Sequence, residues 1–197
     1  MKLSSVFRKL GLSFWNGRRN FDLILSNMKH LFLIAIIIGV GILTRAQSEY
    51  EVSTDGPNKL LKGLISRDML ENDTAFRWFH QNQAGYTPNA ETVAVLKAKG
   101  PQVQFMVFGG TWCEDTQALL PKFYLLMDAA SIPNDQVSVI MVDRHKKAIG
   151  HLPEDMQLKS TPTFIVLKNG KEIGRVVEYG KNGQWDKEIG EIVSTKM

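Results

Sequence analysis

The chain has 197 residues, enough for one well-buried domain with additional segments and too few for two full domains. Its net charge of +4 belongs to the first 46 residues, where seven basic residues and one acid precede Gln47; the remainder carries 17 basic against 19 acidic residues, a net −2. The folded part thus has no basic surplus to bind nucleic acid. A single cysteine excludes an intrachain disulfide and any multi-cysteine zinc or iron–sulfur site.

Residues 1–46 read as an N-terminal leader. Leu31 to Leu43 carries no polar side chain and has roughly two-thirds of the length a spanning helix needs. Lys29 precedes it and Thr44-Arg-Ala46 follows. That is the pattern of a signal peptide cleaved after Ala46, or of an uncleaved anchor with its basic side in the cytoplasm. No cysteine stands just after the apolar run, which excludes a lipoprotein signal. A signal peptide starting at Met28 would have ordinary proportions, so residues 1–27 are expected to lie upstream of the true start. The alternative is an amphipathic membrane-surface helix built on Phe7, Leu10 and Phe14. Either way the folded part is expected to be exported to the periplasm or beyond. Its membrane contact would then come only through residues 31–43, if these are retained.

Residues 47–62 are polar, contain Asp55-Gly-Pro and read as a linker. The domain is expected over 63–197, with a short edge strand in Gly63–Leu70 and a short helix in Thr74–Gln81. His80 in that helix has no partner at ligand spacing and reads as a surface residue. Thr87-Pro88 predicts a helix start, with Ala90, Val93 and Ala94 at helical spacing and Gly100-Pro101 as the stop. Val103–Phe108 is almost wholly apolar, as in a central strand covered on both faces.

Gly109-Gly-Thr-Trp-Cys113 then turns the chain into a helix whose apolar face is Leu119, Leu120, Phe123, Leu126, Met127 and Ala130, with Pro121 predicting a kink. Val137–Val142 predicts a second strand, followed by a polar crossover over 144–160 and a third strand at Thr163–Leu167. Asn169-Gly170 is a hairpin signal that pairs Glu172–Val177 with it, and Gly183–Thr195 closes the chain as an amphipathic helix. The pattern predicts an α/β fold in which a mixed central sheet is flanked by helices.

Cys113 stands where that long helix begins. Unpaired N–H groups and the macrodipole at a helix start favour an anion, hence a thiolate. The competing reading is an inert buried thiol.

Several motifs in order give the chain a resemblance to the thioredoxin family over roughly Thr87 to Val193. They are Trp112-Cys113, Pro121 eight residues later, Val142-Asp143, Ser160-Thr161-Pro162-Thr163, Lys168-Asn-Gly-Lys171 and Gly180. The resemblance implies a thioredoxin-like three-layer fold. It also implies a cis Thr161-Pro162 bond beside Cys113, with the backbone before Pro162 pairing with a substrate chain.

Two departures qualify the resemblance. The family motif Cys-x-x-Cys reads Cys113-Glu-Asp-Thr116, so the resolving thiol is absent and an intramolecular dithiol cycle is unavailable. Val107 stands where thioredoxins carry a buried aspartate. What remains points to a monothiol thiol–disulfide oxidoreductase. Cys113 is its nucleophile, Thr116 donates a hydrogen bond to the thiolate, and Thr161 and Pro162 dock the substrate. Trp112 either shields the sulfur or simply packs.

Glu114 and Asp115 oppose the thiolate by charge. The partners implied are protein or small-molecule thiols and disulfides and an external resolving thiol, with no cofactor and no metal. The alternative is a binding or chaperone module that keeps the fold without turnover. Gly110 occupies the place of the peroxiredoxin threonine, which argues against peroxidase chemistry. Arg144 and His145 follow the second strand on the sheet edge that bears Cys113 and read as solvated loop residues.

Overall fold

The computed structural model describes residues 49–196; the expected leader over 1–46, with its apolar run at 31–43, lies outside them. Among the described residues no helix is long and apolar enough to cross a membrane.

The domain begins earlier than the composition suggests. Residues read as a linker form β1 (Tyr50–Asp55) and most of β2 (Asn58–Ile65), an antiparallel hairpin with Asp55 facing Asn58. Its two-residue loop places Gly56 at φ +59°, and Pro57 follows with φ held by its ring at about −65°. That suits a primed turn with glycine in first place, so Asp55-Gly-Pro is a hairpin turn and not a linker signal. Every residue of β1 is exposed, and its one alternating apolar pair, Tyr50 and Val52, is too short a signal to mark a strand. The expected edge strand at Gly63 therefore starts at Asn58 and is not at the edge, since β1 covers its outer side.

Two short helices follow, α1 (Arg67–Glu71) and α2 (Trp78–Gln81), then α3 (Ala90–Lys99). The start of α3 falls two residues later than Thr87-Pro88 predicts. Asn89 is the cap, its side chain accepting the Thr92 N–H at 3.0 Å. The inward face of α3 is Thr92, Val93 and Leu96, while Ala90 and Ala94 face solvent. The remaining elements are β3 (Gln104–Gly109), α4 (Glu114–Ala129), β4 (Val137–Met141), the one-turn α5 (Leu152–Asp155), β5 (Thr163–Lys168), β6 (Lys171–Val177) and α6 (Trp185–Thr195). Pro121 lies within α4, which runs on as one helix.

The six strands form one sheet in the order β1-β2-β4-β3-β5-β6. β3 and β4 are parallel, joined by the crossover that contains α4, and the other neighbouring pairs are antiparallel. Asn169 and Gly170 both have positive φ (+51° and +73°), as a two-residue type I′ turn between β5 and β6 requires.

Successive strand residues face opposite sides of the sheet, and the core divides accordingly. Phe105, Val107, Val139, Met141, Phe164 and Val166 join the larger core with Phe123, Leu119 and Leu120 of α4 and Trp185, Ile189 and Val193 of α6. Phe123 stacks on Phe164 at 5.0 Å between centroids, and Phe164 stacks on Trp185 at 5.5 Å. The intervening residues Phe108, Ile140, Val142 and Ile165 form a smaller core with Ala148, Met156 and Leu158, under the segment that carries α5. β3 lies inside the sheet and is apolar on both faces. Its C-terminal end is where the chain leaves the sheet toward Cys113.

Candidate functional site

Two glycines end β3 because side chains from the next turn lie against them. A Cβ on Gly109 would stand 2.8 Å from Cγ2 of Thr116, and one on Gly110 would stand 2.6 Å from Nε1 and 2.7 Å from Cε2 of Trp112. The indole is fixed in that position by Nε1, which donates to the Val142 carbonyl at 2.8 Å just past β4.

Thr111 is buried and anchors the turn to the hairpin. The ladder between β2 and β4 stops at Gly63 and Met141. Beyond it the Thr111 hydroxyl takes the place of a strand residue, accepting the Leu61 N–H at 3.2 Å and donating to the Lys59 carbonyl at 3.2 Å. Gln117 Nε2 donates to the Thr111 carbonyl at 2.7 Å, so the turn is held from the helix side as well.

Cys113 is the N-cap residue of α4, in extended conformation (φ −93°, ψ 119°). Its N–H donates to the Gly110 carbonyl and its own carbonyl accepts the Gln117 N–H, both at 2.9 Å. The side chain is half-buried. Its Sγ donates to the Thr161 carbonyl at 3.2 Å, across 48 residues of sequence. Thr161 and Pro162 are buried, and the bond between them is cis. The Pro162 carbonyl accepts the Glu178 N–H at 2.7 Å, so the loop after β6 braces this segment from behind.

Thr116 makes its hydrogen bond within the turn. It is fully buried, and its hydroxyl accepts the Gly110 N–H at 3.2 Å, while the hydrogen bond of the sulfur goes to Thr161. The spacing does put Thr116 one helical turn from Cys113. There its oxygen accepts from the amide just past β3, a bond that leaves the O–H proton uncommitted. Val107, at the place of the family's buried aspartate, is fully buried in the larger core.

The rim of the site holds Tyr179, which the sequence did not single out, and Arg144, which it marked only as a loop residue on the same sheet edge. Tyr179 follows β6 and is 42% exposed. Desolvation pushes its phenol above the ordinary range, and its hydrogen bond to the Asp115 carboxylate and the charge of that carboxylate push it the same way. Arg144 reaches neither the sulfur nor open solvent alone. Its guanidinium lies 5.1 Å over the Trp112 ring and donates twice to Asp55 Oδ2, at 2.7 and 2.9 Å. Asp143 shapes the loop that presents Arg144, its Oδ1 accepting the N–H groups of His145 and Lys147. His145 is exposed, and His80 Nε2 meets the Glu71 carbonyl at 2.9 Å. Among the described residues, no three His, Cys, Asp or Glu side chains are grouped to hold a metal ion.

A family model described as Thioredoxin matches residues 66–185, well over half of the chain. The chain belongs to the thioredoxin family. A thioredoxin of Echinococcus granulosus is 33% identical over 85 residues, which cover 43% of this chain and 74% of that protein. The chloroplastic thioredoxin Y of Oryza sativa subsp. japonica is 29% identical over 80 residues, 41% of this chain and 45% of that protein. The chain thus spans less than half of the rice relative. Among solved structures, Fasciola hepatica thioredoxin is 19% identical and covers 53% of this chain and 89% of that one, with a TM-score of 0.36. Within the family this member carries a single cysteine, at the start of the helix after the central strand, beside the Thr161–Pro162 segment.

Proposed function

We propose that this chain is a thiol–disulfide oxidoreductase of the cell envelope that works through one thiol, Cys113. The observation that carries the reading is the placement of Sγ. It is half-buried at the N-terminus of α4 and hydrogen-bonded to the carbonyl that precedes Pro162. The hydrogen bond to Thr161 is one that only the protonated thiol donates, and the partial positive charge of the helix start favours the thiolate against it. The substrates this favours are disulfides of proteins or small thiols.

In the first step Cys113 thiolate attacks one sulfur of a disulfide R–S–S–R′. The Cys113–S–S–R bond forms, the S–S bond of the substrate breaks, and R′S⁻ leaves with the electron pair. In the second, an external thiolate R″S⁻ attacks R sulfur, giving R–S–S–R″ and regenerating Cys113 thiolate. The external thiol is needed because Thr116 has no sulfur to resolve the intermediate. Thr161 and Pro162 dock the substrate chain and Trp112 walls the sulfur. Thr116 contributes by fixing the turn through Gly110. Export rests on the basic-apolar-small pattern of residues 28–46.

The test uses the full chain, in which Cys113 is the only thiol. On incubation with a small aromatic disulfide, intact mass should show one adduct, which a second added thiol removes. Cys113→Ser should show none. Absence of an adduct on the parent protein would leave the fold as a binding module and end the redox reading.

A further inference from the structure

We infer that Arg144 is a positioning residue for the Cys113 turn, acting through Trp112 and itself held by Asp55 at the tip of the β1–β2 hairpin. The consequence for Cys113 rests on the thiol reading above; the placement of Trp112 by Arg144 does not.

Trp112 immediately precedes Cys113, so the setting of its indole fixes the backbone that presents the sulfur. Three groups set that indole: Gly110, against which Nε1 and Cε2 lie; the Val142 carbonyl, which accepts Nε1–H at 2.8 Å; and the Arg144 guanidinium, 5.1 Å over the ring. The first two are backbone and cannot be tuned. The third is an exposed side chain with free rotation unless something holds it.

Asp55 supplies that hold. Two guanidinium donors converge on one carboxylate oxygen at 2.7 and 2.9 Å, across 89 residues of sequence. Asp55 is in turn fixed as the last residue of β1, beside the Gly56 turn, and the Thr111 hydroxyl pins the same hairpin at Lys59 and Leu61. The hairpin therefore touches the Cys113 turn twice, through Thr111 from the β2 backbone and through Asp55–Arg144–Trp112 from its tip. Planarity matters here. A guanidinium can lie over the indole while offering its edge to a carboxylate, whereas a lysine ammonium has no plane to stack.

The experiment compares Arg144→Ala, Arg144→Lys and Asp55→Ala with the parent full chain. It reads solvent exchange of the Trp112 indole N–H by nuclear magnetic resonance and the rate of Cys113 alkylation by iodoacetamide. The urea midpoint of each variant serves as the control for global stability, and the Trp185 indole N–H as a reference remote from the turn. Arg144→Ala should speed both Trp112 exchange and alkylation by about two- to five-fold, with Trp185 unchanged. Arg144→Lys should not restore the parent values, and Asp55→Ala should move both readouts in the same direction by less. Unchanged Trp112 exchange in Arg144→Ala would overturn the inference, as would full rescue by lysine, since charge alone would then suffice. Faster indole exchange with unaltered alkylation would overturn the link to Cys113. If the redox reading itself fails, no disulfide adduct forms in any variant, while the indole signal still decides the role of Arg144.

Discussion

Gly110 shows how a residue with no side chain can decide what its neighbours do. Its amide holds the Thr116 hydroxyl, its carbonyl holds the Cys113 N–H, and its empty Cβ position receives the Trp112 indole. Gly110→Ala should therefore displace Trp112 and destabilise the fold by about 1–3 kcal/mol, the usual range for overpacking, as read from the urea midpoint. At this scale the sequence was legible where chemistry and spacing coincide. A lone cysteine at a strand-to-helix turn marks itself. Thr116 was legible in position, but helical spacing alone does not reveal that its oxygen also accepts the Gly110 amide and so ties the helix to the end of β3. Arg144 and Tyr179 were not legible as partners of the site. Arg144 finds Trp112 and Asp55 at separations of 32 and 89 residues, which no local pattern encodes.

Among the elements, the β1–β2 hairpin departs most from the sequence reading. Its residues look like a linker because β1 is short, mostly polar and exposed on both faces, with only Tyr50 and Val52 alternating. What holds it is β2, whose Leu61 and Ile65 are buried, together with the borrowed hydroxyl of Thr111. Thr111→Val keeps the shape and removes that hydroxyl, leaving the Leu61 N–H and Lys59 carbonyl without their partner. The expected loss is about 1–3 kcal/mol by urea denaturation, with faster amide exchange at Leu61, and Thr111→Ser should lose less. The β5–β6 hairpin is the opposite case. Asn169-Gly170 announces it because only residues that tolerate positive φ close a two-residue loop of that hand. Strands β3, β4 and β5 were equally legible, since burial on both faces demands unbroken apolar runs.

Across the whole molecule, sheet order and handedness bring together pieces that are far apart in the chain. β3 delivers Cys113 at its C-terminal end and β5 begins just after Pro162. Their antiparallel pairing, with Phe108 opposite Thr163, sets the thiol beside the Thr161 carbonyl. β4 runs parallel to β3, so its own end presents Val142 and Arg144 to the other side of the same turn. The sulfur is thus bracketed by two strand ends and capped by a helix start, with the hairpin bracing Trp112 from outside. A scaffold of this kind positions a nucleophile; it supplies no second thiol. The central claim is therefore kinetic. The measurement that tests it most directly is the second-order rate constant for exchange of Cys113 in the full chain with a small aromatic disulfide at neutral pH, set beside free cysteine under the same conditions. The account predicts faster exchange by Cys113, followed by release of the adduct on adding external thiol. A rate at or below that of free cysteine would contradict it.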